Sequence, residues 1–281
     1  HFKGSDLIRV WLRESVNQIR SGNWTGIFDP EFLKTYWPPS TRASQAHLGF
    51  NDHPPLSRYL TAITWSFFHK GFSDVTSYRL SSAFLFSALV ATVFCVMAKE
   101  AGYSCGVFAA LSLILMPRVF GHAHIAATDM PITAFWFFTV IAFYKAIQRK
   151  GRWRYGFSIL LGLAWLVKFT GLLIPAALIL YILICRDRRV WNAVNPAVWL
   201  SPLLLWVLNP TWWRNPVEEF YANFLKLFMN REEFIPQPTY YLGKTYWFDL
   251  PWHHAMVLTL ATIPAPILAV FPIILTSSRS S

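Results

Sequence analysis

The chain has 281 residues, of which 54% are hydrophobic, 17% aromatic and only 14% charged, with a formal net charge of +11. Average soluble domains carry about 25% charged residues, so 14 Trp and 24 Phe are too many for one water-soluble core, and a disordered chain, a collagen, a coiled coil and a disulfide scaffold are excluded. The basic excess alone would suit nucleic acid, but long apolar runs separate the basic clusters, so the expected partner is membrane lipid and no nucleic acid.

Residues 1–77 read as an external loop with interfacial helices. An amphipathic helix follows Ser5-Asp6-Leu7-Ile8-Arg9 and reaches Ile19. A second begins after Phe50-Asn51-Asp52-His53-Pro54-Pro55, where two prolines fix the chain at a helix entry. Its apolar positions Leu56, Leu60, Ile63 and Phe67 lie three to four apart, as in a helix lying in the bilayer interface. Residues 78–208 read as a transmembrane bundle, 209–253 as a second external loop, and 254–281 as a last span with a cytoplasmic end. The apolar stretches are 78–98, 104–117, 131–147, 156–167, 171–185, 192–208 and 254–275, about seven spans of an all-α polytopic membrane protein. Several fall below the roughly 20 residues that cross a bilayer squarely. The first residue is His and the chain stops at Ser277-Ser278-Arg279-Ser280-Ser281, which reads as a fragment cut at both ends. Cys95, Cys105 and Cys185 lie in or beside apolar segments without a C-x-x-C pair and read as packing residues.

Short Lys/Arg-rich loops stay cytoplasmic. Lys145, Arg149, Lys150, Arg152 and Arg154 form one such loop, and Arg186, Arg188 and Arg189 another. With both inside, residues 156–185 must go out and return, turning near Lys168-Phe169-Thr170. The first residue is then outside and the last inside. Ten basic residues face the cytoplasm against Glu100 and Asp187, while all eight histidines and twelve of the fourteen carboxylates lie outside. Any chemistry is therefore expected at the outer face. Gly243-Lys244-Thr245 imitates the end of a P-loop, but position 238 is Pro where the first Gly belongs, so that reading is rejected.

Four places combine residue types that suit chemistry, each with a plainer reading beside it. Asp129, in Thr128-Asp129-Met130-Pro131, stands at a helix start. It reads either as a carboxylate favoured by the helix dipole or as a membrane-edge group that binds or deprotonates a substrate. His122-x-His124 with Asp129 has the residue types of a metal site, so a divalent metal is considered without a diagnostic spacing. His53 and Arg58 form either a turn-to-helix connection or a phosphate-meeting pair at the head-group plane. Lys168, the only charge between Tyr155 and Arg186, is either a snorkelling lysine or an ammonium fixed beside a lipid phosphate. Asp6 reads as a cap or as a further carboxylate.

In order and spacing, several motifs resemble the GT-C glycosyltransferases that use polyprenyl-phosphate sugars. They are Asp6 with Ser21-Gly22-Asn23-Trp24, His53-Pro54-Pro55-Leu56, Thr128-Asp129-Met130-Pro131, Lys168-Phe169-Thr170, and Tyr241-Leu242-Gly243 leading into Pro251-Trp252-His253-His254. The nearest likeness is to the dolichyl-phosphate-mannose–protein mannosyltransferase-like family and the bacterial aminoarabinose transferases of lipid A. The resemblance implies a GT-C-like bundle and an active site under the first external loop. Asp6 and Asp129 then match the family's carboxylates, with Ser5-Asp6-Leu7 holding half of an acidic pair, and Asp29 or Asp52 standing as substitutes for Asp6. His53 maps to the family's HPP-type motif, and His253 is a substrate-binding candidate.

The chemistry has two requirements. Lys168, Arg118, Arg58 or His53 would neutralise the donor phosphate by charge-assisted hydrogen bonds. Asp6 or Asp129 would take the proton of an acceptor hydroxyl, and in-line displacement would invert the anomeric carbon. The implied location is the bacterial inner membrane or the endoplasmic reticulum, with the site on the non-cytoplasmic side and a protein, lipid or glycan as acceptor. The competing reading is a non-enzymatic transporter or flippase of lipid-linked sugars. Transporters place polar groups near the bilayer midplane, whereas these carboxylates gather at one face.

Overall fold

The computed structural model describes residues 2–37, 53–149, 151–185, 189–213, 215–221, 238–247, 249–263 and 268. In chain order the helices are α1 (Phe2–Arg20), α2 (Pro30–Tyr36), α3 (Leu56–Phe68), α4 (Asp74–Ala101), α5 (Tyr103–Ile114), α6 (Pro117–Ala123), α7 (Asp129–Arg149), α8 (Arg152–Val167), α9 (Leu173–Cys185), α10 (Arg189–Val207) and α11 (Pro216–Phe220). A hairpin of β1 (Thr239–Tyr241) and β2 (Lys244–Tyr246) precedes α12 (His254–Thr262), and 3-10 turns cover Gly26–Phe28, Phe169–Leu172 and Pro210–Trp213. The helical class expected from the sequence is thus observed. Asp52, Asp187 and half of the expected apolar stretch 254–275 lie outside the described residues. The chain divides into two compact units, one of His1–Leu89 with Ala123–Met229, the other of Val90–His122 with Asn230–Ser281.

The first unit is organised around α8. A β-branched or bulky residue cannot take the backbone of Gly151, at φ 65° and ψ −133°, and this glycine reverses the chain between α7 and α8. On its other side α8 meets α10 through small residues. A Cβ on Gly162 would lie 3.2 Å from the Cα of Ser201 and from the Cβ of Leu204, and Ser201 Oγ donates to the Ser158 carbonyl at 2.8 Å. Close backbone approach with hydroxyl cross-links is how helices associate in lipid, where apolar burial alone gives no drive. Phe143, Phe157, Leu161, Leu166, Val190 and Leu205 fill the core. Outward, Tyr144, Ile159, Trp191, Val198, Trp199 and Leu203 are exposed, an apolar surface suited to acyl chains.

Lys168 is extended and ends α8. The Phe169–Leu172 turn then presses Gly171 onto α8, so closely that a Cβ there would sit 2.7 Å from the Ala164 carbonyl oxygen. The Phe143 ring touches Phe157 near the start of α8, at 5.3 Å, and Tyr181 near the end of α9, at 5.8 Å. Phe143 of α7 thus bridges the start of α8 and the C-terminal half of α9.

The expected count of about seven spans is not confirmed among the described residues. Among the described residues three helices, Asp74–Ala101, Asp129–Arg149 and Arg189–Val207, are long and apolar enough to cross a membrane; a fourth is obtained if Tyr103–Ile114 and Pro117–Ala123, bent by 71°, count as one. The sixteen residues of α8 cover only about 24 Å, short of a hydrocarbon core of about 30 Å.

Helix α3 is inside-out. Ser57, Arg58, Thr61 and Thr64 are buried, whereas Ile63 and Phe67 are 50% and 79% exposed. The single apolar face expected from Leu56, Leu60, Ile63 and Phe67 is divided: Leu56 and Leu60 pack on the bundle core, and the other two face out. The buried hydroxyls are satisfied locally, Thr61 Oγ1 donating to Ser57 O and Thr64 Oγ1 to Leu60 O. Ser5 of α1 bonds Thr61 at 2.6 Å, and Ile8, Trp11, Leu33, Trp37 and Ala62 form a small core beneath. Asp29 caps α2, accepting from the Glu31 and Phe32 amides, which accounts for this carboxylate as a helix cap.

In the second unit, Gly106 of α5 lies against the carbonyl of Phe94, 2.9 Å from where its Cβ would be. The Leu242-Gly243 turn closes the β-hairpin with both residues at positive φ, 47° and 82°, the conformation of a two-residue hairpin loop.

Candidate active site

Three elements of the first unit bring four site candidates together. Helix α7 starts at Asp129, where Pro131 fits because first-turn amides lack helical acceptors. Because α8 runs antiparallel to α7, its last turn returns to that level. There Lys168 Nζ donates to Asp129 Oδ1 at 3.2 Å, across 39 residues of sequence. The pair is half-exposed, with side-chain accessibilities of 26% for Lys168 and 46% for Asp129, so it remains reachable by a ligand.

The third element is the entry to α3. Pro54 and Pro55 are buried and fix the chain as it arrives. Arg58 turns back so that Nη2 donates to the His53 carbonyl at 3.1 Å, which ties side chain and loop into one unit. Burial lowers the Arg58 guanidinium to about 10, leaving it cationic at neutral pH. Burial is also the largest influence on His53, followed by the positive charges of Lys168 and Arg58; against the opposing pull of Asp129 they hold its imidazole at about 4. His53 is therefore neutral at pH 7, so as a resting-state phosphate ligand it supplies a hydrogen bond and no charge. Its Nδ1 is buried with no hydrogen-bond partner, a cost of about 1–3 kcal/mol to the resting site.

Tyr59 is a participant that the sequence did not suggest. Its hydroxyl donates to Leu208 O at 3.2 Å and fastens α3 to the end of α10. Burial raises its phenol well above the usual range, so it stays protonated as a donor.

Asp6 lies in a different cluster of the same unit. Its carboxylate accepts from Arg9 at 2.7 Å and from the Tyr78 hydroxyl. Arg9 covers the Trp65 ring at 3.2 Å, His69 stacks on that ring at 4.1 Å, and Trp65 Nε1 donates to Asp74. Arg58 and Trp65, which mark the two clusters, are seven residues apart on α3, about 10 Å along its axis. Arg118 and His253 belong to the second unit. Arg118 is exposed on α6, and His253 packs on Tyr241 and Trp252. Among the described residues no three His, Cys, Asp or Glu side chains are grouped to hold a metal ion, so His122, His124 and Asp129 do not form the metal constellation considered from sequence.

The position of Lys168 depends on Gly171. A methyl group there meets backbone, which cannot swing aside. Gly171→Ala is expected to destabilise the protein by about 1–3 kcal/mol, measured as a lower unfolding temperature in detergent.

The family model for dolichyl-phosphate-mannose-protein mannosyltransferase matches residues 52–213, more than half of the chain. His53, Arg58, Asp129 and Lys168 all fall within that match, whereas Asp6 and His253 fall outside it. The crystal structure of ArnT from Cupriavidus metallidurans in the apo state superimposes with a TM-score of 0.59 at 18% identity, covering 82% of this chain and 41% of that one. The chain thus spans about two-fifths of that protein's length. No curated protein matches it. The helical fold agrees with the GT-C resemblance read from the motifs, and the family match over the segment that builds the four-residue site shows that this chain belongs to the dolichyl-phosphate-mannose-protein mannosyltransferase family.

Proposed function

We propose that the chain carries the donor site of an integral membrane glycosyltransferase, which moves a sugar from a polyprenyl phosphate to an acceptor hydroxyl with inversion. The supporting observation is the Lys168–Asp129 pair beside His53 and Arg58. One carboxylate is held among two cations, at the end of the α7–α8 hairpin opposite Arg149, Arg152 and Arg154.

Each group has a defined task. Lys168 and Arg58 donate to the phosphate oxygens and offset the charge that grows there as the sugar–oxygen bond breaks. Asp129 accepts the proton of the acceptor hydroxyl. The hydroxyl oxygen attacks the anomeric carbon from the face opposite the phosphate, and polyprenyl phosphate leaves. Asp6, bound to Arg9 and Tyr78, holds α1 against α3 and α4 and so positions the site from behind. Arg118 and His253 have no step in this scheme. The basic turn at 149–154 faces the cytoplasm by the positive-inside tendency, which puts the site on the far side, in the bacterial inner membrane or the endoplasmic reticulum.

Two measurements test this. Membranes containing the protein are incubated with radiolabelled polyprenyl-phosphate sugars, and label is expected to move to an acceptor fraction. Label crossing the bilayer without leaving the lipid would instead identify a flippase. For sidedness, the three native cysteines are replaced by Ser and single cysteines introduced as Ile125→Cys and Arg152→Cys. An impermeant thiol reagent is expected to reach them from opposite compartments. Labelling of both from one side would overturn the placement.

A further inference from the structure

Within the proposed donor site, on whose reading this rests, we infer that His53 takes up a proton when the phosphate binds, so that the site gains its third positive charge only in the loaded state. The geometry carries the argument. His53 is pinned by its own carbonyl, through the bond from Arg58 Nη2 at 3.1 Å. Its ring is mostly buried, and Nδ1 has no hydrogen-bond partner. Among the described residues, the charged groups acting on it are Lys168 from the end of α8, Arg58 from α3 and Asp129 from the start of α7.

Burial first, and then two nearby cations against one carboxylate, keep the imidazole neutral, in line with its lowered value of about 4. A phosphodiester adds a negative charge among the same groups, cancels that excess and gives the imidazole an anion to bond. The imidazole then binds a proton from solvent and donates a charge-assisted hydrogen bond to the phosphate. Linkage requires the converse as well: protonated His53 must bind the phosphate more tightly. A permanently cationic residue here would repel Lys168 and Arg58 in the empty site. A titrating one supplies charge only while the phosphate is present.

The test uses farnesyl methyl phosphate, whose single charge does not titrate over the range examined, with the full chain in detergent. Binding enthalpy is measured in two buffers of different ionisation heat at pH 6. Unequal enthalpies, corresponding to uptake of up to one proton per phosphate, are expected, with affinity about tenfold tighter at pH 5 than at pH 8. In His53→Gln the uptake should vanish and the affinity should become independent of pH. Binding by the unmodified protein with equal enthalpies in both buffers would overturn this inference alone. Absence of binding at every pH would overturn the donor-site reading and this inference with it.

Discussion

Asp129→Asn is expected to lower sugar transfer by about 10²–10⁴-fold while leaving the helical bundle folded. The amide keeps the shape of the carboxylate and can still accept from Lys168, but it can neither take a proton nor supply the charge that answers the ammonium. Asp6→Asn is the control. Its partners Arg9 and Tyr78 belong to the α1–α3–α4 junction, so this change should cost a fraction of the stability and less than about tenfold in rate. Equal losses in the two variants would move the base from Asp129 to a shared role. A double-mutant cycle with Lys168→Met sharpens the assignment. Because the two side chains are ion-paired, their losses should be less than additive in the double variant.

Arg58→Met is expected to separate function from stability. Arg58 is buried, and the depression of its guanidinium to about 10 reflects the desolvation it carries. An unbranched apolar side chain of similar length removes that penalty, although the His53 carbonyl loses a donor. The unfolding temperature should therefore hold or rise, as it often does when a buried charge is replaced by a packed apolar group. Donor binding should weaken by about 2–5 kcal/mol, read as a raised KM for the lipid-linked sugar. A guanidinium with a purely structural task would give the reverse pattern, lower stability with unchanged donor affinity.

The residue types of the site were legible in the sequence because ionisable groups are rare in apolar chains. Asp129, Lys168 and His53 stand out by residue type in an apolar chain. The pairing of Lys168 with Asp129 was not legible. It depends on the antiparallel return of α8 on α7, on Gly151 and on the close turn at Gly171, none of which has a local signature at Lys168. The lowered value of His53 was hidden for the same reason, since desolvation and two cations are properties of the fold. The two faces of α3 misled periodicity. A helix with hydroxyls inward and phenylalanine outward has the period of an amphipathic helix and the opposite orientation along half of its length. Asp6 was singled out by its type, and only its partners show its place in a separate cluster. Span counting from apolar runs passes over helix breaks, as at Lys168, that shorten the regular segments among the described residues.

The brevity of α8 has a mechanical consequence. With Arg152 and Arg154 at one end and Lys168 at the other, both termini seek water across a helix several ångströms shorter than the lipid interior. In the proposed membrane placement, the surrounding leaflet would be drawn into a dimple around this helix. Acyl-chain length would then tune the proposed donor binding: thin bilayers would match the helix at rest, and thick ones would have to be compressed before a head group could settle beside it.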